Sequence, residues 1–216
     1  MNDTINFLLA GVGGQGTSLA SDVLVNVGLA AGLAAKQAEI HGMSQRGGDV
    51  VSHVRWGKAI YSPLAGAGEV DVLLAFEKVE ALRNLHYLRP GALVVINNET
   101  ILPVTVTSSG QLYPDDAHVR AAATQVTSRV EFIEGAAIAG RLGNARVANV
   151  VLLGALSALL AREVLAPGLG PALAPALAAE TWLAIIAQRV PAKYLALNQQ
   201  AFQAGREAAL QQVTSS

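Results

Sequence analysis

The ten residues Phe7-Leu8-Leu9-Ala10-Gly11-Val12-Gly13-Gly14-Gln15-Gly16 constrain the fold of this chain most strongly, because an apolar run ends in four glycines and a helical pattern follows at once. The glycines fall as G-x-G-x-x-G. Without side chains at Gly11, Gly13 and Gly16, the backbone can turn tightly, a ligand can approach the amides, and the following helix can pack on its strand. Leu19, Ala20, Val23, Leu24, Val27 and Ala31 recur at helical spacing, so the unpaired N–H groups of that helix would point at whatever fills the turn. An anion is the natural occupant. The competing reading is that Gly13 and Gly14 only allow close packing of a strand–helix turn.

Downstream, the pattern continues as alternating strands and helices. Ile5 to Ala10 reads as a buried parallel strand and Thr17 to Ala31 as the helix closed by Gly32. Leu33 to Ala38 suits a second strand. It ends at Glu39, 23 residues beyond Gly16, near where a dinucleotide fold places its ribose-binding acid. What comes next departs from that fold. A polar, glycine-bounded loop replaces the expected crossover helix and runs into Asp49 to Trp56, a strand by its β-branched content. Further strands are expected at Ala59–Leu64, Val70–Phe76, Ala92–Ile96 and Val130–Ile133, with helices at Glu77–Leu88, stopped by Pro90-Gly91, and from Asp115-Asp116 to about Ser128. Pro103–Thr107 and Gln111–Tyr113 read as a hairpin or connecting arm around Ser108-Ser109-Gly110.

Asn144 to Leu165 is the most apolar helical pattern. Arg146, Asn149, Ser157 and Arg162 interrupt it, leaving less than the ~18 apolar residues a membrane span needs, so it reads as a core or interface helix. After the break at Ala166-Pro167-Gly168-Leu169-Gly170-Pro171, helices are expected at Ala172–Arg189 and Pro191–Ala209. These elements predict an α/β fold, a Rossmann-like mostly parallel sheet flanked by helices, with residues 1–165 as one domain and 166–216 as a helical C-terminal extension packed on it.

Composition narrows the function. Charged residues are 14% of the 216, against about 25% in an ordinary soluble domain, while 52% are hydrophobic; another subunit is expected to cover much of the surface. A net charge of −1 gives no footprint for nucleic acid. The absence of cysteine removes disulfides, thiolate zinc sites, a cysteine nucleophile and ordinary iron–sulfur ligation, so electron carriers would belong to a partner. Met1-Asn2-Asp3-Thr4 carries no basic stretch of the kind that opens a signal peptide, and a cytoplasmic protein is expected.

A second constellation lies in Glu39-Ile40-His41-Gly42-Met43-Ser44-Gln45-Arg46-Gly47-Gly48. Arg46 is suited to grip a carboxylate or phosphate with two N–H groups, and Gln45 to donate and accept beside it. His41 would carry a proton or simply fix the loop. His53, His86 and His118 have no metal-ligand spacing and read as structural, as do Asp71, Glu77 and Glu80 at strand ends and helix starts. Ser18 and Ser21 lack a nucleophile elbow.

The glycine turn, the Glu39–Gly48 loop running into Val51-Ser52-His53-Val54-Arg55, Tyr61-Ser62-Pro63-Leu64, the Asp71–Phe76 strand with Glu77, Leu88-Arg89-Pro90-Gly91 and Gly143-Asn144 together closely resemble the gamma domain of the 2-oxoacid:ferredoxin oxidoreductases. The resemblance covers most of residues 5–160. Trp182, Pro191, Lys193, Asn198, Ala201, Phe202 and Gly205 look most like the separate beta subunit of the indolepyruvate type.

What the resemblance implies is an enzyme that decarboxylates a 2-oxoacid on thiamine diphosphate, passes electrons through iron–sulfur clusters to ferredoxin and delivers the acyl group to coenzyme A. In the indolepyruvate type, a large alpha subunit carries thiamine, magnesium and clusters. The family's thiamine motif, Gly-Asp-Gly with a downstream Asn-Asn, is missing, since Val50 follows Asp49. The implied role is therefore noncatalytic. Gly11, Gly13, Gly14, Gln15 and Gly16 would hold a phosphate, such as the coenzyme A diphosphate, or a partner carboxylate, and His41, Ser44, Gln45 and Arg46 would face the alpha subunit near the 2-oxoacid. Two alternatives are a gamma subunit of a pyruvate, 2-oxoglutarate or branched-chain enzyme, and a stand-alone module binding NAD or a flavin.

Overall fold

In the computed structural model, residues 3–42, 48–100, 113–162 and 166–213 are described. Six strands form one sheet, β1 (Thr4–Val12), β2 (Ala34–His41), β3 (Asp49–Gly57), β4 (Val70–Ala75), β5 (Leu88–Asn97) and β6 (Val130–Ile133), in the order β2-β3-β1-β4-β5-β6. β1, β4, β5 and β6 are parallel neighbours, and β3 runs antiparallel to both β1 and β2. The mostly parallel α/β sheet expected from the sequence is present, with β3 as its reversed member.

Both faces of the central strands are covered, which is why β1 and β4 read as mainly apolar runs, interrupted by Asn6 and Asp71, rather than alternating ones. Phe7 and Leu9 enter one core, together with α1 (Thr17–Ala30), α5 (Ala148–Leu160), α7 (Ala179–Arg189) and α8 (Leu195–Val213). Leu8 and Ala10 enter the other, under α2 (Lys78–Asn84) and α3 (Asp116–Thr124). The first core is threaded by aromatic contacts, Phe7 to Trp56 at 4.6 Å, Trp56 to Trp182 at 6.5 Å and Trp182 to Phe202 at 6.2 Å. Each indole N–H is satisfied, Trp56 Nε1 by the Leu24 carbonyl at 3.0 Å and Trp182 Nε1 by the Ala176 carbonyl at 2.8 Å. The C-terminal helices thus share the core of the sheet.

α5 is buried along nearly its whole length. α8 reaches it through two glycines: a Cβ on Gly154 would stand 2.8 Å from the Phe202 carbonyl carbon, and one on Gly205 would stand 2.8 Å from that of Val151. Among the described residues, no single helix is long and apolar enough to cross a membrane.

Several expectations are corrected. Ala59–Leu64 is not a strand. Its backbone is satisfied by side chains instead, since Arg55 Nη1 donates to the Ser62 and Leu64 carbonyls at 3.1 Å each and Lys36 Nζ to that of Tyr61 at 3.2 Å. The helix expected at Glu77–Leu88 stops at Asn84, becomes a 3-10 turn, and Leu88 already opens β5, so Pro90-Gly91 lies in a strand. Glu77 caps α2, accepting from the Val79 and Glu80 N–H groups at 2.7 and 3.1 Å. α4 (Gly135–Arg141) was not expected, and α6 (Ala174–Leu177) separates from α7 where Ala178 turns extended. The hairpin at Pro103–Thr107 and Gln111–Tyr113 falls almost entirely outside the described residues.

His53 is buried in β3 with its Nδ1 accepting from the Ala65 N–H at 3.3 Å. Burial, and then the Arg55 charge, push its pKa below the ordinary value. A depressed imidazole contributes stability that is present above the unfolded-state value of about 6.5 and is lost as pH falls. Accordingly, between about pH 7.5 and 5.5 the unfolding midpoint of His53→Gln is expected to fall less than that of the wild type. Parallel declines in a thermal scan would contradict this.

Candidate functional site

The glycine turn sits where β1 ends, beside the C-terminal ends of β4 and β5, at the point where chain connections diverge to opposite sides of the sheet. Three of its four glycines have their own reasons. A Cβ on Gly11 would stand 2.9 Å from Gln15, Phe76 and Thr17, whereas Gly14 and Gly16 have φ of 101° and 80°. Gly16 also lies against Asn149, whose Nδ2 donates to its carbonyl at 3.3 Å. In the first turn of α1, the N–H groups of Thr17, Ser18 and Leu19 have no hydrogen-bond partner among the described residues, and no side chain caps the helix.

Gln15, expected to reach a ligand, lines a cavity beside the turn and also holds the turn together. Its Oε1 accepts from the Val12 N–H at 2.8 Å, and its Nε2 donates to the Phe76 carbonyl at 2.9 Å and to Glu99 Oε2 at 3.4 Å. The side chain staples the turn to the end of β4. Asn97 works beside it, donating to the Phe76 carbonyl at 3.2 Å and to Glu99 Oε2 at 2.9 Å while accepting from the Gly135 N–H at 3.0 Å.

These groups line a cavity of about 510 Å³ bounded by Gly14, Gln15, Gly16, Asn97, Glu99 and Arg146. The Arg146 guanidinium is exposed and has no acidic partner among the described residues. Open helix N–H groups, a glycine floor and a guanidinium unpaired among the described residues are groups chemically suited to receive an anion. Asn97, Glu99, Arg146 and Asn149 were not read as site residues from the sequence. Each is distant in sequence, and only the parallel pairing of β1, β4 and β5 and the start of α5 bring them to the turn.

The second constellation adjoins the first. Gly13 N–H donates to the Gly48 carbonyl at 3.0 Å, and Gly42 N–H to the Asp49 carbonyl at 2.9 Å, so the base of the loop is tied to the turn. His41 ends β2 with its side chain largely exposed and its Nε2 2.9 Å from Glu39 Oε1. Ser44, Gln45 and Arg46 lie outside the described residues. Glu39 accepts from Ser52 Oγ at 3.1 Å, and β3 stands between it and β1. The ribose-binding geometry of a dinucleotide fold, in which the acid's strand neighbours β1, is therefore not made.

Comparison with known proteins follows the same lines. The family described as Pyruvate ferredoxin/flavodoxin oxidoreductase matches residues 6–208. Indolepyruvate oxidoreductase subunit IorB of Pyrococcus horikoshii is 36% identical over 205 residues, 94% of this chain and 95% of that protein. In fold, the chain resembles the gamma subunit of a keto/oxoacid ferredoxin oxidoreductase from Geobacter sulfurreducens, with a TM-score of 0.65 and 23% identity over 96% of this chain and 99% of that one. It also resembles part of the 2-oxoglutarate:ferredoxin oxidoreductase from Magnetococcus marinus, solved with 2-oxoglutarate, coenzyme A and succinyl-CoA bound, with a TM-score of 0.69 and 21% identity over 98% of this chain and 32% of that one.

Proposed function

This chain belongs to the pyruvate ferredoxin/flavodoxin oxidoreductase family and is a subunit of an oxidoreductase, and from that premise we propose that it is the noncatalytic beta, or gamma-type, subunit of an indolepyruvate oxidoreductase. The observation that carries the reading is the 36% identity to the Pyrococcus horikoshii subunit along almost the full length of both chains. In this reading a large alpha subunit holds thiamine diphosphate, magnesium and iron–sulfur clusters, which together supply decarboxylation of an aryl 2-oxoacid and electron transfer to ferredoxin. With no cysteine, this chain offers no thiolate for a cluster, consistent with that division.

Its own residues would bind and orient coenzyme A. The amides of Thr17, Ser18 and Leu19 and the Arg146 guanidinium would take the diphosphate at the 510 Å³ cavity. Gln15 and Asn97 would keep the glycine floor in place through their bonds to Phe76. The loop tied down at Gly48 would present Ser44, Gln45 and Arg46 to the alpha subunit and the 2-oxoacid. A module for NAD is disfavoured by the insertion of β3 between Glu39 and β1.

The reading is tested by purifying the chain with the large subunit and comparing turnover of indolepyruvate, phenylpyruvate and pyruvate. Aryl substrates are expected to be preferred, and Arg46→Ala is expected to raise KM for the 2-oxoacid or coenzyme A. Preference for pyruvate would transfer the chain to a pyruvate-type enzyme. If the large subunit turned over equally well without this chain, the subunit role would fall.

A further inference from the structure

The anion receptor contains an anion of its own. Glu99 follows β5 and lines the cavity with the glycine turn, and its Oε2 takes hydrogen bonds from two neutral donors there, Asn97 Nδ2 at 2.9 Å and Gln15 Nε2 at 3.4 Å. Its placement is built rather than incidental. The Glu99 N–H donates to the Asn97 carbonyl at 2.8 Å, and Asn97 is itself buried and held by Gly135 and Phe76. Among the described residues Glu99 has no cationic partner. Arg146 lines the same cavity without being paired to it.

A carboxylate in this position has two consequences. It occupies the side-chain amides that would otherwise solvate an incoming phosphate, and its charge opposes any second anion sharing the cavity. We infer that Glu99 is a specificity-determining residue that guards the anion seat: it confines the charged part of a ligand to the Arg146 and α1 side and excludes small free phosphates that lack further contacts. A large ligand with binding surface beyond its phosphates overcomes the repulsion, whereas inorganic pyrophosphate does not. The inference rests on the proposed coenzyme A site and adds to it a selection among phosphate-bearing ligands.

The test measures equilibrium binding of coenzyme A and of inorganic pyrophosphate to the intact complex carrying wild-type chain, Glu99→Gln or Arg146→Ala. Glutamine keeps an acceptor oxygen for Asn97 and Gln15 while losing the charge. In Glu99→Gln, pyrophosphate is expected to bind roughly tenfold more tightly, and coenzyme A tighter by less, since its esterified diphosphate brings less negative charge to the cavity than free pyrophosphate does. Arg146→Ala should weaken both. If Arg146→Ala weakens binding while Glu99→Gln leaves it unchanged or weaker, the guard is refuted and the site survives. If neither variant changes either affinity, the site itself is misplaced and the guard falls with it.

Discussion

Gly205→Ala is expected to lower the thermal unfolding midpoint by roughly 2–12 °C, and Gly205→Val to leave little folded protein. The added Cβ would stand 2.8 Å from the carbonyl carbon of Val151 on α5, so the obstacle is backbone, which cannot swing aside as a side chain does. Overpacking of this kind costs about 1–3 kcal/mol, and each kcal/mol moves the midpoint of a domain of this size by about 2–4 °C. Gly154→Ala meets the Phe202 carbonyl in the same interface and should behave alike. Because both substitutions push α5 and α8 apart, the double variant should cost less than the sum of the two. Scanning calorimetry of the complex checks this; unchanged midpoints in the single variants would mean that α8 does not seat on α5 in this way.

Arg146→Ala is expected to raise KM for coenzyme A about tenfold in the reconstituted enzyme while leaving kcat nearly unchanged, the signature of lost uniform binding. The basis is a guanidinium that lines the cavity beside the open end of α1 with no acid to neutralise it among the described residues. Arg146→Lys should recover part of the effect, because charge is kept and the two-pronged geometry is lost. A fall in kcat with KM unchanged would instead place Arg146 in a step after binding and would contradict the assignment.

How legible each part was depended on whether its cause was local. The turn Gly11–Gly16 could be read because its glycines, the apolar strand before it and the helical spacing after it lie in one short stretch. Val130–Ile133 was recovered with its observed bounds, as a four-residue apolar strand in polar flanks. Ala59–Leu64 has strand-like residues, yet its carbonyls are claimed by Arg55 and Lys36 from β3 and β2, a tertiary cause that propensity cannot register. α4 was missed because Gly135 and Gly140 lower its helix propensity, while contact with Asn97 and Leu152 favours glycine at its start. At the site, Gln15 could be read from its place in the glycine turn, whereas its bonds to Phe76 and Glu99 come from partners that only the fold of β4 and β5 supplies.

One margin of the sheet carries a consequence beyond the site. Among the described residues, β2 has β3 as its only strand partner, and every second residue along its eight turns its N–H and C=O groups outward, without a proline or a bulge. Nearby, Ile40 is 48% and Tyr61 91% exposed. A hem of this kind offers pairing to an extended chain such as a sibling copy, which the charges of Lys36 and Glu39 along β2 oppose. Covering that edge would therefore protect the protein from clumping.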